Sequence, residues 1–79
     1  MSQYPGIHRA AVHEDVDPHH RCRLLVEVPA VTGGARTWAE ACVTSDAMRI
    51  PARGETVWVM FEAGDANHPV WLGAMAVGA

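Results

Sequence analysis

The sequence predicts a small all-β protein, a single closed barrel of five short strands. Turn-forming residues recur at short intervals along the 79 residues, and the segments between them alternate apolar and polar side chains. A flat sheet of five strands would leave long edges open to aggregation, whereas closure into a barrel removes those edges. At this length, the pattern favours the five-stranded Greek-key barrel known as the OB-fold.

The first two predicted strands flank a turn. They cover residues 7–14 and 21–28, and Asp17-Pro18 between them favours turn initiation. Pro29 ends the second strand because proline has no N–H to donate to a neighbouring strand. Alternation predicts that one face of the second strand consists of Cys22, Leu24, Val26 and Val28.

The third predicted strand covers residues 36–43 around Trp38, whose mid-strand position predicts a core side chain. The irregular segment that follows has room for one helical turn at residues 45–49, with Ser45 or Asp46 as its cap. A turn at residues 51–54 then leads into the fourth strand.

The fourth and fifth strands are predicted at residues 55–62 and 70–75. Val57, Val59 and Phe61 form the inner face of the fourth strand. Trp58 and Met60 then point away from the core, where the N terminus or the loop at residues 44–53 could cover them. Both residue types are enriched at interface cores, so the alternative is a docking surface. The predicted interface residues are Trp58, Met60 and Trp71, with Trp71 also assigned to the structural hairpin.

Length and composition predict one domain over residues 1–79, with a flexible N terminus at 1–5 and a C-terminal tail at 76–79. The hydrophobic fraction of 49% is ordinary for a folded domain. No apolar run approaches the roughly 20 residues of a membrane-spanning helix. The first residues lack the basic start and apolar stretch of a signal peptide, which predicts synthesis in a cytoplasm.

The charge balance argues against a broad phosphate-binding surface. The chain has six basic residues and nine carboxylates, all six basic residues are arginines, and the net charge is −3. Binding of single-stranded nucleic acid stays open as an alternative because OB barrels often stack bases on aromatic side chains, here Trp58. That alternative requires four arginines to lie together on one face of the barrel: Arg21, Arg23, Arg36 and Arg49.

The candidate reactive residues favour neither an enzyme nor a metal site. Cys22 and Cys42 are expected to be small, buried, reduced side chains rather than a disulfide. A metal site at His13, His19 and His20 is the alternative to a solvated turn. The acidic pairs Asp15/Asp17 and Glu62/Asp65 fall in predicted turns, where aspartate bonds the backbone. The sequence also lacks catalytic motifs such as HExxH, so we predict a non-enzyme without a cofactor.

Four segments in order resemble one protein family. Asp17-Pro18 with residues 23–29 resembles a D-P-x-x-x-G-R-V-x-V-x-V-P hairpin, and Trp38-Ala39 resembles a W-A pair. Residues 51–59 resemble P-x-x-G-D-x-V-x-V, and residues 61–73 resemble F-x-x-G-D-x-x-x-P-V-x-x-G. These are motifs of the OB-fold domain of phage baseplate assembly protein V and the type VI secretion spike (VgrG-type) family. The residues assigned to these structural motifs are Asp17, Pro18, Pro29, Trp38, Gly54, Phe61, Gly64, Asp65, Pro69 and Gly73.

The resemblance implies a structural subunit of a phage tail tip, baseplate hub or related injection apparatus. It implies self-association, as a homotrimer on the tail axis, and contacts with other hub or baseplate proteins. Longer relatives continue into a β-helical needle, so this chain is expected to be a hub plug or a seat for a separate tip protein. A monomeric adaptor is the alternative. Cys22 stands where the family has glycine, which implies a differently shaped turn.

Overall fold

The computed structural model describes residues 3–42 and 49–75 and contains the five predicted strands. A short helix, which the sequence pattern did not predict, connects the second strand to the third. The elements are β1 (His8–Glu14), β2 (Leu24–Glu27), α1 (Pro29–Thr32), β3 (Arg36–Ala41), β4 (Thr56–Phe61) and β5 (Pro69–Ala74), with a 3-10 turn at Glu62–Gly64 before β5.

The five strands form a closed barrel in the order β1-β2-β3-β5-β4, with β4 pairing back to β1. Every pairing is antiparallel except that of β3 with β5, which is parallel. Closure leaves no whole strand at a free edge, which is how such barrels avoid edge-to-edge aggregation. The predicted all-β OB-fold barrel is therefore confirmed.

The barrel interior is filled by the alternating apolar side chains that the sequence pattern indicated. Val57, Val59 and Phe61 of β4 are all buried, while Met60 on the opposite face is 43% exposed. Leu24 and Val26 of β2 are fully buried, as is Val28 just beyond it. Other core residues are Ala10, Val12, Ala39 and Trp71.

Several local predictions differ from the structure. β2 begins at Leu24 rather than at residue 21, because Cys22 has a left-handed backbone (φ 62°) that strand pairing does not accept. Pro29 does end the strand, but it also opens α1, since its fixed φ and missing N–H suit the first helical turn. The predicted helical turn at 45–49 falls almost entirely on residues outside the described part of the chain.

Within the described ranges, no helix is long and apolar enough to cross a membrane. Near the N terminus, Tyr4 packs against the barrel. Tyr4 donates its backbone N–H to the carbonyl of Gly64 at 3.0 Å, and its ring lies 6.0 Å from the ring of Phe61. The end of the predicted flexible segment thus contacts the turn between β4 and β5.

Candidate docking surface and the residues that position it

The outer side of β4 carries an apolar surface. In the antiparallel pairing of β1 with β4, Arg9 lies opposite Trp58 and His8 lies opposite Val59, and continuing this register one residue beyond the His8–Val59 pair puts Ile7 beside Met60. Ile7 is 52% exposed and Met60 is 43% exposed. We call these four residues, Ile7, Arg9, Trp58 and Met60, the β4 outer face.

Trp58 is half-buried, and its neighbours on the two adjacent strands are Arg9 and Gly73. The guanidinium of Arg9 lies 5.6 Å from the centroid of the indole ring, a cation–π geometry. On the other side Trp58 pairs with Gly73, which has no side chain to compete for space, next to a register shift between Trp58 and Val59. The two predicted interface residues of β4 therefore lie on the outside, with Met60 the more accessible.

The prediction that Trp71 belongs to an interface is wrong. Trp71 is only 1% exposed and fills the barrel core. Its indole N–H donates to the carbonyl of Cys22 at 2.9 Å, and its own carbonyl accepts from the N–H of Cys42 at 2.9 Å. The uninterrupted apolar run of β5 hid this orientation, because alternation needs polar residues to mark the outer face.

Trp38 is also misplaced by the sequence pattern, in the opposite direction. It is half-buried and lies outside the core, whereas its neighbour Ala39 is fully buried. The guanidinium of Arg23 lies 5.0 Å from the Trp38 ring centroid, so the indole covers an ion pair rather than filling the barrel. The large residue lies outside because β3 presents its small alanine to the crowded interior.

Asp17 is the buried anchor of the loop between β1 and β2. Only 6% of it is exposed, and its carboxylate accepts backbone N–H groups from His19, Arg21 and Arg23 at 2.8–3.1 Å. The Arg23 guanidinium donates two further hydrogen bonds, from Nε and Nη2. The Arg23 bonds hold the Asp17 pKa far below its ordinary value of 3.8. The backbone N–H donors lower this pKa further, whereas burial acts in the opposite direction. Pro18 is exposed in the turn.

Cys22 occupies the position where the related motif has glycine, and the backbone conformation at this position explains why the motif has a glycine there. Its φ is 62°, in the left-handed region that glycine adopts without strain. The turn therefore keeps the glycine-like shape despite the cysteine, contrary to the expectation of a different turn. Among the described residues both cysteines are free. Cys22 is half-buried and Cys42 is exposed, so the expected burial of both thiols is wrong.

The turn before β4 is held by a surface ion pair. Arg49 donates two hydrogen bonds to the Glu55 carboxylate at 2.8 and 3.1 Å, and the N–H of Ala52 donates to the same group. The Arg49 bonds, followed by the Ala52 bond, lower the Glu55 pKa to about 2. Gly54 provides the positive φ of 94° that the turn requires.

The connection between β4 and β5 is built from the motif residues. Gly64 has a φ of 77°, and a Cβ on it would lie 3.2 Å from Gln3 Cβ. Asp65 caps the next turn by accepting the N–H of Asn67 at 2.9 Å. Pro69 is buried at the start of β5. These contacts fix the end of the barrel against which the N-terminal residues pack.

The candidate histidines do not form a cluster. His13 contacts the Glu27 carboxylate at 2.9 Å, whereas His19 and His20 are exposed in the Asp17 turn. Within residues 3–42 and 49–75, no group of three metal-binding side chains comes together.

The arginines required by the nucleic-acid alternative are largely engaged by carboxylates. Arg21 pairs with Glu40, and Arg23 and Arg49 pair with the Asp17 and Glu55 carboxylates already described. Ion pairs of this kind leave little net positive charge for a phosphate backbone. The arrangement does not favour the nucleic-acid alternative.

Comparison with known families agrees with this geometry. Residues 8–75 match the model of the type VI secretion system/phage-baseplate injector OB domain. The match includes all five strands and most of the 79-residue chain, so the protein belongs to this family. A search among curated proteins found no match. The family is a structural domain, and membership gives this chain a structural role in a baseplate or spike assembly.

Proposed function

We propose that this barrel is a hub subunit that docks on the axis of a phage tail or related injector through its β4 outer face. Three copies around the axis form the hub plug, or the seat for a separate tip protein. The observation that carries the proposal is the exposure of two apolar residues, Ile7 at 52% and Met60 at 43%, which the extended β1–β4 register puts next to each other beside Trp58. Methionine and tryptophan are enriched in the desolvated centres of interfaces.

The closed barrel supports docking through side chains. Each strand is hydrogen bonded to neighbours on both sides over at least part of its length, so pairing of whole strands between subunits is not needed. The outer side of β4 presents apolar groups in a row, which a neighbouring protein can bury without breaking the barrel. Other tail and baseplate proteins are the partners that the family suggests, and the tail or baseplate is the location that it implies.

The substitution Met60→Glu tests this proposal. A carboxylate at the centre of a dry contact loses its hydration without gaining a partner, so self-association should weaken by at least about tenfold. Native mass spectrometry should show wild type at three times the 8.5 kDa chain mass and the variant as monomer.

The matched control is Val16→Glu, because Val16 is an equally apolar side chain, 68% exposed, in the loop after β1. It should leave the trimer intact, and circular dichroism should show both variants folded. A wild-type monomer, or a trimer that tolerates Met60→Glu, would contradict docking of copies through this face.

A further inference from the structure

The β4 outer face has unlike charges at its two ends. Arg9 stands beside Trp58 at one end, and Glu62 directly follows β4 at the other. Both residues are exposed, and the ion pairs among the described residues include neither of them. Met60 and Ile7 lie between these ends. The face is therefore a stripe that is positive, then apolar, then negative.

The length of this stripe follows from strand geometry. Trp58, which lies beside Arg9, and Glu62 are four residues apart, and a strand rises about 3.3 Å per residue, so these two backbone positions are about 13 Å apart along the barrel wall. Among the described residues of one subunit, Arg9 and Glu62 form no ion pair with each other. Opposite charges at the two ends of an apolar row instead allow the positive end of one copy to meet the negative end of another copy.

We propose that Arg9 of one copy pairs with Glu62 of the next copy, joining subunits head to tail. This inference rests on the proposed self-association and specifies its contact. Repetition of one head-to-tail contact closes into a ring when the rotation between copies allows it. In a ring of three, each positive end meets a negative end and the apolar middles, Met60 and Ile7, face the common axis.

The charge pair would act mainly on specificity. Opposite charges at matched positions favour one register of association, and like charges there cost far more than a neutral contact. The apolar residues contribute the larger part of the affinity because they leave water entirely. Reversal of one charge should therefore disrupt the ring, and reversal of both should restore it.

The experiment compares the wild type, Arg9→Glu, Glu62→Arg and the double variant by native mass spectrometry and sedimentation velocity over a dilution series. Each single reversal should weaken association by at least about tenfold because it places two like charges opposite each other across the contact. The double variant should recover trimers to within about threefold of the wild type. Arg53→Glu, at another exposed arginine, is the control, because it changes net charge by the same amount as Arg9→Glu.

The outcomes separate this inference from the proposed function. Trimers that tolerate both single reversals, or a double variant that stays dissociated, would overturn the Arg9–Glu62 contact while leaving docking through Met60 standing. A wild-type chain that stays monomeric at every concentration would overturn both. If Arg53→Glu also loses its trimers, the change in net charge alone explains the dissociation of Arg9→Glu, and the Arg9–Glu62 contact is overturned.

Discussion

At Cys22 the backbone adopts a conformation that side chains disfavour. Its left-handed φ of 62° lets its carbonyl accept the Trp71 indole N–H while the chain turns into β2. Two residues after Cys22, Leu24 is buried in the core. Five residues before Cys22, the Asp17 carboxylate accepts hydrogen bonds from N–H groups of the same loop. One strained residue thus lies between the polar anchor of the loop and the first core side chain of β2.

Replacement of Cys22 by glycine should stabilise the protein relative to Cys22→Ala. A left-handed conformation costs a residue with a Cβ about 1–2 kcal/mol, and the greater freedom of unfolded glycine offsets part of that, leaving a net gain of about 0.5–1 kcal/mol. Urea unfolding of the two variants measures it, and alanine serves as the control because both substitutions remove the thiol. A glycine variant less stable than the alanine variant would show that the turn is unstrained.

Acid should unfold the protein partly through Asp17. Its pKa is lowered in the folded state, so the stabilisation is complete above its ordinary value of 3.8 and is lost as the pH falls below it. Glu55 contributes in the same sense between its ordinary 4.5 and about 2. Asp17→Asn should lower the melting temperature at neutral pH by at least about 5 °C and flatten the acid decline.

Thermal melts of the wild type and Asp17→Asn from neutral pH to pH 2 measure both effects. An equally steep acid decline in the variant would assign acid sensitivity to other carboxylates. Asp17 could be predicted as a turn residue from the Asp-Pro pair, but its burial could not. The Arg23 contact depends on how the loop folds back over Trp38, which no local pattern encodes.

At the scale of elements, the β4–β5 hairpin shows what alternation can and cannot predict. In β4 the apolar and less apolar residues alternate, and the inner residues Val57, Val59 and Phe61 were assigned correctly. In β5 nearly every residue is apolar, so the inward position of Trp71 depends on the pairing with β3 and β4. Helix α1 was missed because four residues are too few to show a helical period.

The hairpin turn should be sensitive to the size of residue 64. Gly64→Ala adds a Cβ at 3.2 Å from Gln3 Cβ and forces alanine to a φ of 77°, so we expect a loss of about 2 kcal/mol. Gly54→Ala is the control, since its φ is 94° but its added Cβ meets no atom within 4 Å. That variant should lose only about 1 kcal/mol.

Hydrogen exchange at the Tyr4 amide adds a second measurement, because that amide bonds to the Gly64 carbonyl. Exchange should become faster in Gly64→Ala and stay unchanged in Gly54→Ala. Equal losses of stability in the two variants would mean that contact with the N-terminal residues contributes nothing to the hairpin.

At the scale of the whole molecule, a 79-residue barrel has a core of limited size. Such small domains gain much of their stability from association when they have a partner. The fold was predictable because strand number and turn spacing leave few closed arrangements. The surface was only partly predictable. Alternation placed Trp58 outside, whereas the orientations of Trp71 and Trp38 depend on the barrel as a whole.

If three copies associate as proposed, the melting temperature should rise with protein concentration. Mass action predicts about 5 °C for each tenfold increase in a trimer of this size, whereas a monomer shows no dependence. Calorimetry over a dilution series measures this, with Met60→Glu expected to melt at one temperature throughout. A concentration-independent wild type would contradict self-association in the free protein.

The parallel pairing of β3 with β5 also constrains the order in which the barrel closes. Residues 40 and 41 acquire their partners only when residues 70 and 71 of β5 have been made. Until that moment β3 exposes an open edge, and β4 has only β1 beside it. Neighbouring chains that fold at the same time would therefore be at risk of exchanging β5.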